Sequence, residues 1–186
     1  MKAVLAFASV VLITLLGYSL FPGHTYLQSD TQIYVPMLER MNDQALFTRD
    51  IVALRPHLTL TIYDEAALFL KRITRADFEL VLTMEQLLFR ALAVYGLMLI
   101  AMRFGLSRAQ SFFVAAVVSL GATISGPAVL TIEYEPVPRG FAISLIVFAL
   151  GLIAQALHRL QFLRPANKGR ACARQSQPHI VRPARR

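Results

Sequence analysis

The feature that most constrains this fold is a set of long apolar stretches. The first, Ala3 to Phe21, is nineteen residues without a charge, close to the roughly 20 that a helix needs to cross the hydrocarbon core of a bilayer. Three more cover residues 78–102, 109–132 and 140–157. The chain is only 16% charged, where a soluble domain carries about 25%. The sequence therefore predicts an all-α polytopic membrane protein with about four transmembrane helices within residues 1–162.

The first stretch could instead be a cleaved signal peptide. Its apolar run is longer than a usual signal core, and residues 17–22 offer no small-x-small cleavage site. We expect an uncleaved first span, and the signal peptide remains the alternative.

The basic residues indicate how the spans are oriented. Eight of the nineteen basic residues, and no acid, lie from Arg159 onward. The turn at 103–108 holds two basic residues and the corner at 133–139 holds one. Because cytoplasmic loops carry an excess of Lys and Arg, we expect both termini in the cytoplasm, at the inner (plasma) membrane of a bacterium. Loops 22–77 and 133–139 would then face outward.

The same distribution argues against a nucleic-acid partner, since the basic residues follow a hydrophobic helix instead of covering a folded polar face. Residues 163–186 contain no acid and few apolar residues, which predicts a disordered cytoplasmic tail. The tail could touch anionic lipid, or it could be the end of a truncated or frame-shifted reading frame, which we favour. Cys172 is the single cysteine, so no intrachain disulfide is possible.

The sequence of the first outer loop predicts two short amphipathic helices. Each has an apolar stripe that would suit the interfacial layer of a membrane. The residues that recur at helical spacing are Ile33, Met37, Leu38 and Met41 in the first helix, and Ala67, Leu68, Leu70 and Ile73 in the second.

The second span carries Glu85, Gln86 and Arg90. Five residues at 100° each place Glu85 and Arg90 about 140° apart around the helix, so they do not readily pair with each other. We expect each to find a partner on another helix, as charges inside a membrane must.

The predicted topology brings the acid-bearing loops to one face of the membrane, where an active site could form. The candidates are the carboxylate of Asp30, with Tyr34, Arg55, His57, Glu133, Glu135 and Arg139 as substrate-binding residues. A partly dehydrated carboxylate can act as a general base, and guanidinium groups hold phosphate. The combination suits transfer from a phosphate-linked donor.

These residues also have structural alternatives. Asp30 could simply cap the helix that begins at Thr31. Glu133 and Glu135 could pair with Arg139 to close a tight turn. No zinc-ligand spacing, P-loop or dinucleotide fingerprint is present, and a divalent metal is left open.

One part of the outer loop resembles a known family. Asp30-Thr-Gln-Ile-Tyr34, with Met37-Leu-Glu-Arg-Met41 and the residues from Asn42 to Asp50 after it, resembles the first outer loop of the GT-C class of integral membrane glycosyltransferases. In that class an acidic residue or pair follows the first span and precedes a surface helix. Many members have a second acid where this chain has Thr31, which bears on metal binding.

The resemblance implies that a sugar is taken from a polyprenyl-phosphate carrier and passed to an acceptor outside the cytoplasm. Asp30 would deprotonate the acceptor hydroxyl, and Arg139 or Arg55 would assist the donor phosphate. Members of the class have more spans than the four expected here, so the resemblance implies an N-terminal fragment that could be inactive.

The alternative is a non-enzymatic membrane subunit whose outer loop binds another polytopic membrane protein and whose Arg90 docks against a partner helix. A transporter would need polar groups near mid-bilayer in several helices, and only the second span has them.

Overall fold

A computed structural model of the 186-residue chain describes residues 2–20, 27, 30–54, 62–121, 133 and 135–163. This part of the chain is helical and contains no strand, which confirms the all-α class. Its helices are α1 (Lys2–Leu20), α2 (Thr31–Asn42), α3 (Ile62–Thr74), α4 (Phe78–Arg103), α5 (Arg108–Gly121) and α6 (Pro138–Leu163).

Local sequence signals fix where α4 and α5 begin. The Asp77 carboxylate accepts a hydrogen bond from the Leu80 amide at 2.9 Å, which satisfies one of the free N–H groups of the first turn of α4. Before α5, the Ser107 amide donates to the Gln110 side chain at 2.9 Å, and the Gln110 amide donates back to Ser107 Oγ at 3.4 Å. This reciprocal pair of hydrogen bonds is a capping box.

Among the residues that the structure describes, two helices are long and apolar enough to cross a membrane, namely α4 and the Pro138–His158 part of α6. The apolar parts of α1 and α5, Val4–Leu20 and Arg108–Leu120, are shorter. These two helices support a membrane protein. The four-span topology, the inner-membrane location and the cytoplasmic termini remain predictions.

The two long helices run parallel and in close contact. The rings of Phe89 and Phe141 lie 4.0 Å apart between centroids. Further along both helices, the Gln155 side-chain amide donates to the Leu99 carbonyl at 2.9 Å. Since residue numbers rise together on both sides of the interface, α4 and α6 begin at the same end of the molecule.

Helices α1 and α5 run in the opposite direction. Val10 lies in one apolar cluster with Met98 of α4 and Ala115 of α5. Towards the end of α1, Gly17 lies against Arg90, which precedes Met98 at the middle of α4, and against Leu120, near the end of α5. The ends of α1 and α5 and the starts of α4 and α6 are therefore at one end of the bundle.

Helices α2 and α3 pack on the first turns of α4 around a second apolar cluster: Val35, Leu38, Tyr63, Ala67, Phe78, Val81 and Leu82. This packing buries one part of each predicted apolar stripe and leaves the other part exposed. Leu38 and Ala67 are fully buried, while Ile33 and Met41 are each 48% exposed. The two helices thus share a core with α4, and only part of each stripe remains available to a membrane surface.

Candidate functional site

Charged side chains gather at the end of the bundle where α2, α3, α4 and α6 meet the segment before α6. We call this group the acidic corner, and it comprises Asp30, Asp64, Glu85, Arg90, Glu133, Glu135 and Arg139. The structure thus brings Asp30 together with Glu133, Glu135 and Arg139, which lie about a hundred residues further along the sequence.

Arg139 lies between two acids, Asp30 and Glu133, which are separated in the sequence by α4 and α5. Its Nε donates to Glu133 Oε2 at 2.9 Å, and its Nη2 lies 2.8 Å from the same oxygen. The same Nη2 lies 3.8 Å from Asp30 Oδ2. The Glu133 side chain is 3% exposed, whereas those of Arg139 and Asp30 are 41% and 50% exposed. The buried carboxylate of Glu133 therefore orients the guanidinium of Arg139, which faces the accessible carboxylate of Asp30.

The chain around Arg139 is shaped so that Glu133 can reach it. Pro138 opens α6, a position that its fixed φ favours, and the Gly140 amide donates to the Val137 carbonyl at 2.9 Å. A Cβ at Gly140 would lie 2.8 Å from Glu133 Cβ. Only glycine leaves room for Glu133 to lie against the first turn of α6.

Asp30 does not act as a side-chain cap of α2. Its backbone is already helical, with φ −64° and ψ −23°, and its carboxylate makes no capping hydrogen bond. The capping alternative from the sequence is therefore not what the structure shows. Of the described residues, Arg139 is the one that forms an ion pair with Asp30.

Tyr63 attaches α3 to the acidic corner. Its hydroxyl donates to the Pro136 carbonyl at 2.7 Å, and its ring packs edge-on against Tyr34 at 6.1 Å. Burial raises the pKa of the Tyr63 hydroxyl, and the nearby charges of Glu85 and Asp64 raise it further. Tyr63 therefore stays a neutral hydrogen-bond donor. Tyr34 contacts its ring and so helps to hold it in place.

A small cavity lies beneath the Arg139 pair. Its volume is about 20 Å³, and Tyr63, Glu85, Glu135 and Ser144 are among the residues that line it. That is room for about one water. Neither carboxylate oxygen of Glu85 has a hydrogen-bond partner within the described part of the chain, and Oε2 of Glu135 has none there either. Groups buried in this way need a donor.

Glu85 and Arg90 take up separate surroundings, as their spacing predicts. Arg90 is 5% exposed, lies against Gly17 of α1, and interacts electrostatically with Tyr18 and Glu133. Glu85 faces the cavity and is close enough to Asp64 for the two charges to repel. The prediction that Glu85 finds a partner on another helix is not met by a hydrogen bond to any described residue.

The buried part of the acidic corner has more acids than bases. Four buried carboxylates, Asp64, Glu85, Glu133 and Glu135, stand against one buried guanidinium, that of Arg90. A phosphate would be repelled from such an interior. The accessible side of Arg139 is where an anionic group can approach.

Two sequence-predicted site residues cannot be placed relative to the acidic corner. Arg55 and His57 lie outside the described residues. Within the described ranges, no group of three His, Cys, Asp or Glu side chains is arranged to hold a metal ion.

Comparison of the chain with protein-family models, with curated proteins and with solved structures finds no match. In its described ranges the chain is thus all-helical, with two helices of membrane-spanning length and a charged site at one end of them.

Proposed function

We propose that this chain is a membrane glycosyltransferase of the GT-C kind, or the N-terminal part of one. It would transfer a sugar from a polyprenyl-phosphate donor to an acceptor on the outer face of a bacterial inner membrane. The proposal assumes four spans with both termini in the cytoplasm, which places the acidic corner on the outer side.

One observation carries the proposal, and it is the arrangement of Asp30, Arg139 and Glu133. An accessible carboxylate lies 3.8 Å from an accessible guanidinium, and a buried carboxylate holds that guanidinium from behind. A general base needs access to an acceptor hydroxyl. A donor phosphate needs a fixed cation beside the reacting atoms. The two requirements meet at the rim of the acidic corner.

The chemistry assigns one task to each accessible group. The Asp30 carboxylate accepts the proton of the acceptor hydroxyl while that oxygen attacks the sugar carbon bonded to the phosphate. The bond from this carbon to the phosphate oxygen breaks, and polyprenyl phosphate leaves with the bond electrons. Arg139 stabilises the negative charge that develops on the leaving phosphate.

The test is transfer by the purified chain in lipid nanodiscs, with labelled polyprenyl-phosphate sugars as donors. We expect Asp30→Asn to lower the rate at least about a hundredfold, because the base is lost. Membrane insertion and the melting temperature should stay unchanged. Transfer at the original rate by Asp30→Asn would rule out the assigned role.

The matched control is Glu65→Gln. Glu65 is an exposed acid on α3 with no ion pair or hydrogen bond to another described residue. Its loss changes the charge of the same outer surface by the same amount as the loss of Asp30. If both variants lost transfer equally, the effect would be one of surface charge and not of a base.

A non-enzymatic subunit is the second candidate, and the surface of α6 favours it. Only 17% of its most apolar stretch is buried inside the molecule, so α6 leaves a broad face for another membrane helix. Arg90 is not available for this role, because it is buried within the chain. Co-purification with one defined polytopic protein, lost when large residues replace Ile146 and Ile153, would favour the subunit.

A further inference from the structure

A second polar site lies away from the acidic corner, in a groove between the ends of α2 and α3. We call it the basic groove, and its volume is about 280 Å³. The residues that line it are Met41, Asn42, Leu68, Lys71, Arg72, Arg75 and Ala76. Three of them are cations and none is an acid.

The cations of the basic groove are not neutralised by an acid among the described residues. Lys71 Nζ donates to the Ala76 carbonyl at 3.2 Å and lies 4.3 Å from the centre of the Phe78 ring. These contacts fix its position and leave its charge uncompensated. Arg72 and Arg75 are exposed and form no ion pair with any described residue. The groove therefore offers donors and positive charge to an anion.

The backbone of Arg75 is the second observation. Its φ is +57°, in the left-handed region, and its amide donates to the Lys71 carbonyl at 2.8 Å. This is the position after a helix where glycine is usual, because a side chain there is strained. Leu27 and Phe47 share this backbone, but Arg75 is the one of the three whose side chain lines the basic groove.

An exposed apolar face borders the basic groove. Ile62, Phe69 and Ile73 are 69%, 62% and 63% exposed, and at 100° per residue they lie within about 40° of one another on α3. Arg72 lies about 100° from Ile73, on the flank of this face. A helix that rests on a bilayer has this arrangement, with apolar side chains among the acyl chains and cations at the level of the phosphates.

We propose that the basic groove binds the headgroup phosphate of an anionic phospholipid. Arg72 and Arg75 hold the phosphate oxygens, Lys71 adds a fixed charge, and Met41 and Leu68 contact the start of the lipid chains. The proposal does not depend on glycosyl transfer, because none of the groove residues belongs to the acidic corner.

The competing explanation is that Lys71 and Arg72 only complement the negative end of the α3 dipole. That effect stabilises the helix and requires no ligand. It also gives no reason for arginine at position 75, where the left-handed backbone makes the residue unfavourable. Stability and lipid binding therefore separate the two explanations.

The experiment measures binding of fluorescent phosphatidylglycerol to the detergent-solubilised full chain. We expect Arg75→Gly to weaken binding about fivefold, as the loss of one cation near a lipid phosphate implies. The melting temperature without lipid should stay the same or rise, because glycine suits the left-handed position. Arg72→Gln should weaken binding to a similar extent, and it provides a second test if Arg75→Gly does not fold.

The matched control is Arg49→Gln, which removes an exposed cation from the same polar region outside the groove. It should leave binding unchanged. Binding that is equal in Arg75→Gly, Arg72→Gln and wild type would overturn the proposal, and so would equal weakening by the control. Full displacement of the lipid by inorganic phosphate would show a site for free phosphate and would also overturn it.

Discussion

At the scale of single residues, Tyr63 shows how one hydrogen bond connects distant parts of the chain. Its hydroxyl reaches the Pro136 carbonyl at 2.7 Å, and the side chain is 2% exposed. We expect Tyr63→Phe to lower the free energy of unfolding by about 1 to 2 kcal/mol, because a buried carbonyl loses its donor. Denaturant titration in mixed micelles measures this. Tyr95→Phe, at a partly exposed tyrosine of α4, should change the stability little.

The same residue predicts a dependence on pH. Burial raises the pKa of Tyr63 in the folded state, while in the unfolded chain a tyrosine ionises near pH 10. Above about pH 10 the unfolded state loses a proton that the folded state retains, so stability should fall as the pH rises. In Tyr63→Phe this part of the decline should be missing. Identical slopes for the wild type and the variant would contradict the assignment.

Some of the acidic corner could be predicted from residues alone. An even number of crossings between Asp30 and Glu133 requires both to lie at one end, and the structure joins them through Arg139. The unsatisfied oxygens of Glu85 could not be predicted. They depend on how closely α3 and the segment before α6 pack around the cavity, and no local pattern encodes that packing.

At the scale of elements, the contact between α4 and α6 depends on two glycines. A Cβ at Gly96 would lie 2.6 Å from the Val147 carbonyl oxygen and 2.7 Å from Phe148 Cα, and a Cβ at Gly151 would lie 2.8 Å from the Gly96 carbonyl oxygen. These neighbours are backbone atoms, which cannot move without moving a helix. Small residues permit this close approach between membrane helices.

We therefore expect Gly96→Ala to force α4 and α6 apart and to cost about 1 to 3 kcal/mol in stability. Thermal unfolding in detergent measures the change. Gly17→Ala is the matched control, because a Cβ there would meet Arg90 and Leu120 only at an ordinary 3.7 Å, and alanine favours the helix. An equal loss of stability in both variants would mean that α4 and α6 do not approach each other closely at Gly96.

The sequence predicted where the helices lie better than it predicted which neighbour each helix face would contact. Residues 78–102 and 140–157 were expected as helices, and α4 and α6 contain them. The closest approach between α4 and α6 is at Gly96 and Gly151, and neither glycine was predicted to be a contact. Periodicity identifies a helix, but the neighbour that each face meets is decided by tertiary packing.

At the scale of the whole molecule, the directions of the helices predict which surfaces lie on opposite sides of a membrane. With Cys172→Ser as the background, Glu65→Cys marks the end with the acidic corner and Phe104→Cys marks the turn after α4. In intact cells a membrane-impermeant maleimide should label position 65 only, and permeabilisation should be needed for position 104. Labelling of both positions in intact cells would contradict a crossing by α4.

The position of Arg139 in α6 also bears on how the protein is made. Asp30 leaves the ribosome before α2, whereas the guanidinium that joins it to Glu133 is translated only after α5, the described helix that precedes α6. The ion pairs at this end of the molecule therefore cannot form until α6 has been made. A nascent chain stalled before α6 would hold these carboxylates without their counter-charge, in a form that membrane proteases could recognise as unfinished.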